Sequence, residues 1–143
     1  MASVECPRVL CDGVYRYVPG RGWEKGLPGQ RVRVLVFVNS LCRRSCSEAL
    51  EKIMRIVGDL VEAGVVGLGL VVCTRFRYVC ADDEALLFFT RYNIIASPSV
   101  VVLEDGEVRA SIKGMLRLER ELEPALRGVA ERLRSSGGAA QRR

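Results

Sequence analysis

"RVRVLVFVNSLCRRSC", residues 31–46, decides the fold. Its first eight residues alternate and then become continuously apolar, the pattern of a central strand covered on both faces. The run stops abruptly at Cys42 and Cys46, which are separated by Arg43, Arg44 and Ser45. Beyond them Leu50, Ile53, Met54, Val57, Leu60 and Val61 recur at three- and four-residue spacing. This spacing predicts an amphipathic helix, with Glu48–Lys52 and Glu51–Arg55 as supporting pairs on its wet side and an end at "AGVVG". A cysteine where a buried strand gives way to a helix can be core filler, half of a disulfide, a metal ligand or a nucleophile.

The flanking chain supplies the rest of one domain. Residues 1–30 read as an N-terminal arm in which "GVYRYV" and "WEKG" are short strands around a Pro/Gly turn, followed by a second turn at "LPGQ". "VVGLGLVVCT" is a second buried strand, and "DDEALLFFTRYN" opens with acids where a helix N-terminus favours them. "SVVVLEDGEVRASIKG" is a hairpin with an Asp-Gly turn. A last helix is expected over about 118–134, with Pro124 in its first turns or kinking it, and 135–143 as a disordered, solvated tail. The domain proper is thus 31–134, in the order strand, helix, strand, helix, strand, strand, helix. The first half alternates as a parallel βαβ unit must; the second is a ββα unit.

Composition narrows the function classes. With 49% apolar and 27% charged residues, the chain is expected to bury a core. No apolar run reaches the roughly 18 to 20 residues of a membrane span. "MASVECPRVL" has neither a basic start nor an apolar signal core, so a cytoplasmic protein is expected, with no membrane partner. Of the formal charge of +5, three units belong to Arg134, Arg142 and Arg143 in an acid-free terminal stretch, and the remaining charges alternate in sign. That is a solvated surface rather than a nucleic-acid footprint. There is no histidine, which removes the usual general base and the commonest metal ligand. Asparagine and glutamine total four, a composition like that of heat-adapted (thermophile) proteins, in which intracellular disulfides persist.

The element order, with paired cysteines at the first strand–helix junction, resembles the thioredoxin-like superfamily. The apolar strand running into "CRRSC", the segment "RYNIIASPSVVVLEDGEV" and the closing "IKGMLRLEREL" carry the resemblance, which covers about residues 31–134. It implies an α/β fold with a mixed four- to five-stranded sheet flanked by helices, here with an N-terminal extension. It also implies that Pro98 is a cis-proline lying beside the cysteine pair and an incoming peptide. The chain departs from the family in three places: three residues rather than two separate the cysteines, Leu41 replaces the usual aromatic residue, and Val36 replaces a buried acid.

Thiol–disulfide exchange needs an exposed thiolate in positive surroundings and a second thiol within reach. Cys42 lies where the free N–H groups of a helix start would face it, with Arg43 and Arg44 adjacent. Cys46 falls on the helix's apolar stripe and is expected to be the buried, resolving thiol. On a helix, residues four apart have Cα atoms about 6 Å apart, inside the upper range for a disulfide. If "SCSE" (45–48) is a capping box, the helix instead starts at Cys46 and leaves Cys42 in the preceding loop. With Val36 apolar, deprotonation of Cys46 falls to solvent or to another group.

Cys6 and Cys11, separated by four residues in the arm, suit a local structural pair or free thiols rather than catalysis. Cys73 ends the second parallel strand, at the sheet edge where the Cys42 loop also lies, with Cys80 following. Four sulfurs there admit two disulfides, a relay in which Cys73–Cys80 serves the first pair, or a four-thiolate zinc or iron–sulfur site built from Cys42, Cys46, Cys73 and Cys80. The leading expectation is an oxidoreductase acting on protein disulfides through Cys42 and Cys46, with an upstream reductase or oxidase as partner and no cofactor. The rivals are the four-thiolate metal protein and a redox-inactive adaptor stiffened by its disulfides.

Overall fold

The computed structural model describes residues 11–39, 43–75 and 79–141. Six strands and three helices follow one another among these residues: β1 (Gly13–Val18), β2 (Gly22–Lys25), β3 (Val32–Asn39), α1 (Arg43–Glu62), β4 (Val66–Cys73), α2 (Asp83–Arg91), β5 (Ser99–Glu104), β6 (Glu107–Lys113) and α3 (Met115–Gln141). The strands form one mixed sheet in the order β2-β1-β4-β3-β5-β6. From β3 onward the elements come in the order expected from the sequence. The sheet has six strands rather than four or five because the N-terminal hairpin joins it, β1 pairing antiparallel with β4.

Local chemistry explains the turns. Pro19 and Gly20 sit between β1 and β2, Gly20 has φ 81°, and the Arg21 N–H donates to the Val18 carbonyl at 2.9 Å. These are the marks of a type II turn, whose third residue needs a positive φ. At the β5–β6 hairpin Asp105 and Gly106 have φ 53° and 84°, the mirror-image turn that Asp-Gly favours. α1 ends just before Gly64, at φ 77°. α3 extends beyond 118–134 at both ends, and Pro124 lies in its interior.

β3 is the centre. It pairs parallel with β4 over its whole length and antiparallel with β5. Successive side chains leave a strand on opposite faces. Val32, Val34, Val36 and Val38 therefore meet Ile53, Val57 and Val61 of α1 and Leu118, Leu122 and Leu126 of α3. Leu35 and Phe37 meet Phe88 and Phe89 of α2 on the other face. Lys52 reaches across to Glu119, tying α1 to α3 at 2.7 Å.

The second face is only partly covered by nine-residue α2, and Pro28 and Gln30 of the β2–β3 connection close the remainder. A Cβ on Gly67 would stand 2.5 Å from the Pro28 Cβ, and one on Gly69 2.7 Å from the Leu35 Cδ2. The two glycines let the connection lie flat on β4.

At the end of the sheet away from the cysteines, Glu104 is buried and accepts from Arg109 at 3.0 Å and from Arg132 at 3.0 and 3.1 Å. Burial pushes its carboxyl upward, but the hydrogen bonds and charges of Arg132 and then Arg109 outweigh this and leave it below its ordinary value. A carboxylate with a lowered folded-state pKa contributes stability that is complete above its unfolded value and lost as pH falls through the folded one.

Two outcomes follow. Gly67→Ala relieves chain entropy by about 0.4–1 kcal/mol but overpacks the Pro28 contact by about 1–3 kcal/mol, so urea unfolding will show net destabilisation. Glu104→Gln will lose less stability than the parent chain on acidification below the ordinary glutamate value of 4.5, as read by denaturant midpoints across pH.

Candidate functional site

The carboxyl ends of β3 and β4 lie side by side, with Asn39 in register with Cys73. α1 begins at Arg43, so Arg44 and Ser45 lie inside its first turn and a cap at Ser45 is not what starts the helix. Cys46 is the fourth residue of α1 and only 4% exposed, packed in the cluster with Val36, Val38 and Leu118. The apolar stripe placed it on this side. Cys46 is disulfide-bonded; Cys42 lies outside the described residues.

A loop from β5's entrance meets Cys46. The Ser97–Pro98 peptide bond is cis, as the resemblance implies. The Ser97 Oγ stands 3.3 Å from the Cys46 Sγ. A sulfur in a disulfide carries no proton, so the serine hydroxyl donates in this contact. The same oxygen accepts the Asn39 N–H at 3.1 Å. The loop is fixed on both sides of the proline: the Ser99 hydroxyl donates to the Ala96 carbonyl at 2.7 Å, and the Gly114 N–H donates to the Pro98 carbonyl at 2.8 Å. Ile95 and Leu116, which flank this loop and the Gly114 contact, are exposed apolar residues.

A second sulfur site lies on the other face. Cys73 and Cys80 form a disulfide, with sulfurs 2.19 Å apart and Cα atoms 4.7 Å apart. Cys73 is fully buried among Phe37, Phe88 and Phe89, while Cys80 is half-buried. Paired backbone hydrogen bonds between Arg75 and Val79, at 2.9 and 3.2 Å, close the loop that the disulfide spans. Asp12 holds it from outside, accepting the Thr74 hydroxyl at 2.8 and 3.0 Å and the Ala81 N–H at 2.7 Å. Asp82 caps α2 by accepting the Ala85 N–H. Tyr15 donates its hydroxyl to the Cys11 carbonyl at 2.9 Å. Burial, then the Asp82 and Asp12 charges, push this phenol above its ordinary value, so it keeps its proton. Cys11 is disulfide-bonded; Cys6, its expected partner, lies outside the described residues.

The four-sulfur cluster expected at one edge is corrected by strand parity. Val72 points into the α1 cluster, so Cys73, the next residue, points into the α2 cluster, across the sheet from Cys46. A four-thiolate metal site drawing on both is not supported, and among the described residues no group of three or more cysteines, aspartates or glutamates is placed to hold a metal ion. Nor does the placement support a direct relay between Cys46 and Cys73. Sequence reasoning passed over Ser97 and Asp12. Ser97 had one available signal, its place before Pro98. Asp12 had none, because its partners lie 62 and 69 residues away.

No protein-family model matches the chain, and no curated protein matches it in sequence. Solved structures do resemble it. Thioredoxin from Aeropyrum pernix overlays with a TM-score of 0.55 at 14% identity, covering 81% of this chain and 94% of that one. The first two thioredoxin domains of Naumovozyma dairenensis Eps1p give 0.47 at 17% identity, over 76% and 41% of the two chains. StoA from Bacillus subtilis gives 0.42 at 18%, over 82% and 98%. At such identities the likeness speaks to architecture. With its mixed sheet flanked by helices, the chain has a thioredoxin-like α/β fold. Among the described residues no helix is long and apolar enough to cross a membrane.

Replacing Cys73 and Cys80 together by alanine removes a short loop closure worth roughly 2–3 kcal/mol. Denaturant unfolding should show a loss of that size, and a variant as stable as the parent would mean that the Asp12 contacts alone hold the loop.

Proposed function

We propose that the protein is a thiol–disulfide oxidoreductase that acts on protein disulfides through Cys42 and Cys46. The observation that carries this reading is the setting of Cys46: a buried sulfur in the first turn of a long helix, in hydrogen-bond contact with the residue before a cis-proline. A resolving thiol needs such a place, shielded from outside disulfides.

In the reducing direction the Cys42 thiolate attacks one sulfur of the substrate disulfide and expels the other as a thiolate, which takes a proton from water. Cys46, having lost its proton, then attacks the Cys42 sulfur of the mixed disulfide. The Cys42–Cys46 bond forms, the second substrate sulfur leaves, and two electrons have passed to the substrate. An upstream dithiol then reduces the Cys42–Cys46 bond, becoming a disulfide itself and restoring both thiols. In the oxidising direction the same steps run backwards and an oxidase resets the pair. Positive ends of the α1 peptide dipoles, with Arg43 and Arg44 in the same turn, favour the Cys42 thiolate. The Pro98 loop and the exposed Ile95 and Leu116 offer a polypeptide both backbone and apolar contact, which supports protein rather than small-molecule substrates.

The test is a redox titration of the folded chain, with thiols trapped by alkylation and each cysteine read by peptide mass. Cys42 and Cys46 are expected to interconvert as one two-electron couple, with Cys42 alkylated fastest once reduced and Cys73–Cys80 resisting at the same potential. Cys42→Ser should bring disulfide turnover down to the uncatalysed rate. If Cys42 and Cys46 react only after unfolding, the pair is a staple and the oxidoreductase reading goes.

A further inference from the structure

The geometry points to Ser97 as a catalytic residue whose hydroxyl holds the Cys46 thiolate; this rests on the reading of Cys46 as the resolving thiol. Three observations combine. The Ser97 Oγ lies 3.3 Å from the Cys46 Sγ, and the direction of the bond is settled by the absence of a proton on the disulfide sulfur. One of its lone pairs is occupied by the Asn39 N–H at 3.1 Å, which turns the hydroxyl proton toward the sulfur. The Ser99–Ala96 and Gly114–Pro98 hydrogen bonds fix the loop, so the donor is in position before charge develops.

The surroundings make this donor matter. In the cluster that packs Cys46, the side chains from β3, β4, β5, β6 and α3 are apolar. Its other titratable members are Tyr15, whose hydroxyl is engaged with the Cys11 carbonyl, and Tyr17. On α1 itself Glu48 is exposed. The chain has no histidine to serve instead. Burial in such a setting disfavours a thiolate, and a hydrogen bond donated to the charged form opposes that.

The step balances without a new reactant. The Cys46 proton passes to solvent while Ser97 keeps its own. The thiolate attacks the Cys42 sulfur, the Cys42–Cys46 bond forms, and the substrate sulfur leaves with the electron pair. In reverse, the Ser97 hydroxyl receives the developing charge on Cys46 as its bond to Cys42 breaks.

The test is the pH profile of Cys46 alkylation, read by peptide mass in the full chain carrying Cys42→Ser. Adding Ser97→Ala should raise the Cys46 pKa by about one unit or more, while Ser97→Thr, which retains the hydroxyl, should stay near the parent. Kinetics in the two-cysteine chain supply a signature that a packing defect would not mimic. A pKa higher by about one unit leaves a tenth of the thiolate at neutral pH but raises its nucleophilicity about threefold. Ser97→Ala should then resolve mixed disulfides about threefold more slowly at neutral pH and faster than the parent at alkaline pH. An unchanged alkylation profile in Ser97→Ala, or a slowing equal at every pH, overturns the proposal. The titration needs no substrate. A shifted pKa in a chain that does not exchange disulfides would establish the hydrogen bond and remove the oxidoreductase reading, whereas an exchanging chain with an unshifted pKa would remove the role of Ser97 alone.

Discussion

Everything else in the molecule is hung on β3, a strand buried on both faces and paired on both edges. Its valines and Phe37 are essentially inaccessible to solvent, and each such side chain contributes roughly 1.5–3 kcal/mol relative to exposure. Pairing with β4 and β5 satisfies its backbone, so the strand can carry an unbroken apolar sequence without an orphaned polar group. Its carboxyl end therefore stops at a defined depth and height, and α1 starts from there. A cysteine in the first turn of that helix is positioned by the core rather than by its own loop.

Three polar side chains among the described residues sit where chain segments must be held in register. Glu104 takes two arginines at one end of the sheet, Asp12 ties the β4–α2 loop to the start of β1, and Ser97 links β3 to the cis-proline loop. Each of these side chains has more than one partner, and each makes at least one contact across 28 or more residues of chain. Among the described residues no buried side-chain nitrogen or oxygen lacks a hydrogen bond. An unmatched group there would cost about 1–3 kcal/mol, so these anchors act against alternative registers as much as for the native one.

The sheet also separates the sulfur chemistry. Cys46 and Cys73 stand at the ends of neighbouring elements but are directed to opposite faces, one toward α1 and α3, the other toward α2. The Cys73–Cys80 bond closes a loop that two backbone hydrogen bonds and Asp12 already hold in place. With its ends so pre-arranged, the loop gives the two sulfurs a high effective concentration. Cys46 is embedded in a different cluster, and its described hydrogen bond runs to a loop from β5.

The sequence by itself determined the element order from β3 onward, the Asp-Gly hairpin, the amphipathic face of α1 and the burial of Cys46. All of these rest on periodicity or turn chemistry within a few residues. Tertiary structure alone decided that β1 pairs with β4 and that Gly67 and Gly69 make room for Pro28. It also decided which face Cys73 occupies. "GLGLVVC" is apolar on both sides, so nothing in its pattern distinguishes one face from the other; only the packing of α1 and α2 does. Asp12 and Ser97 were hidden for a related reason. A lone polar residue acquires a role from the partner that folding brings to it, and those partners lie more than fifty residues away along the chain.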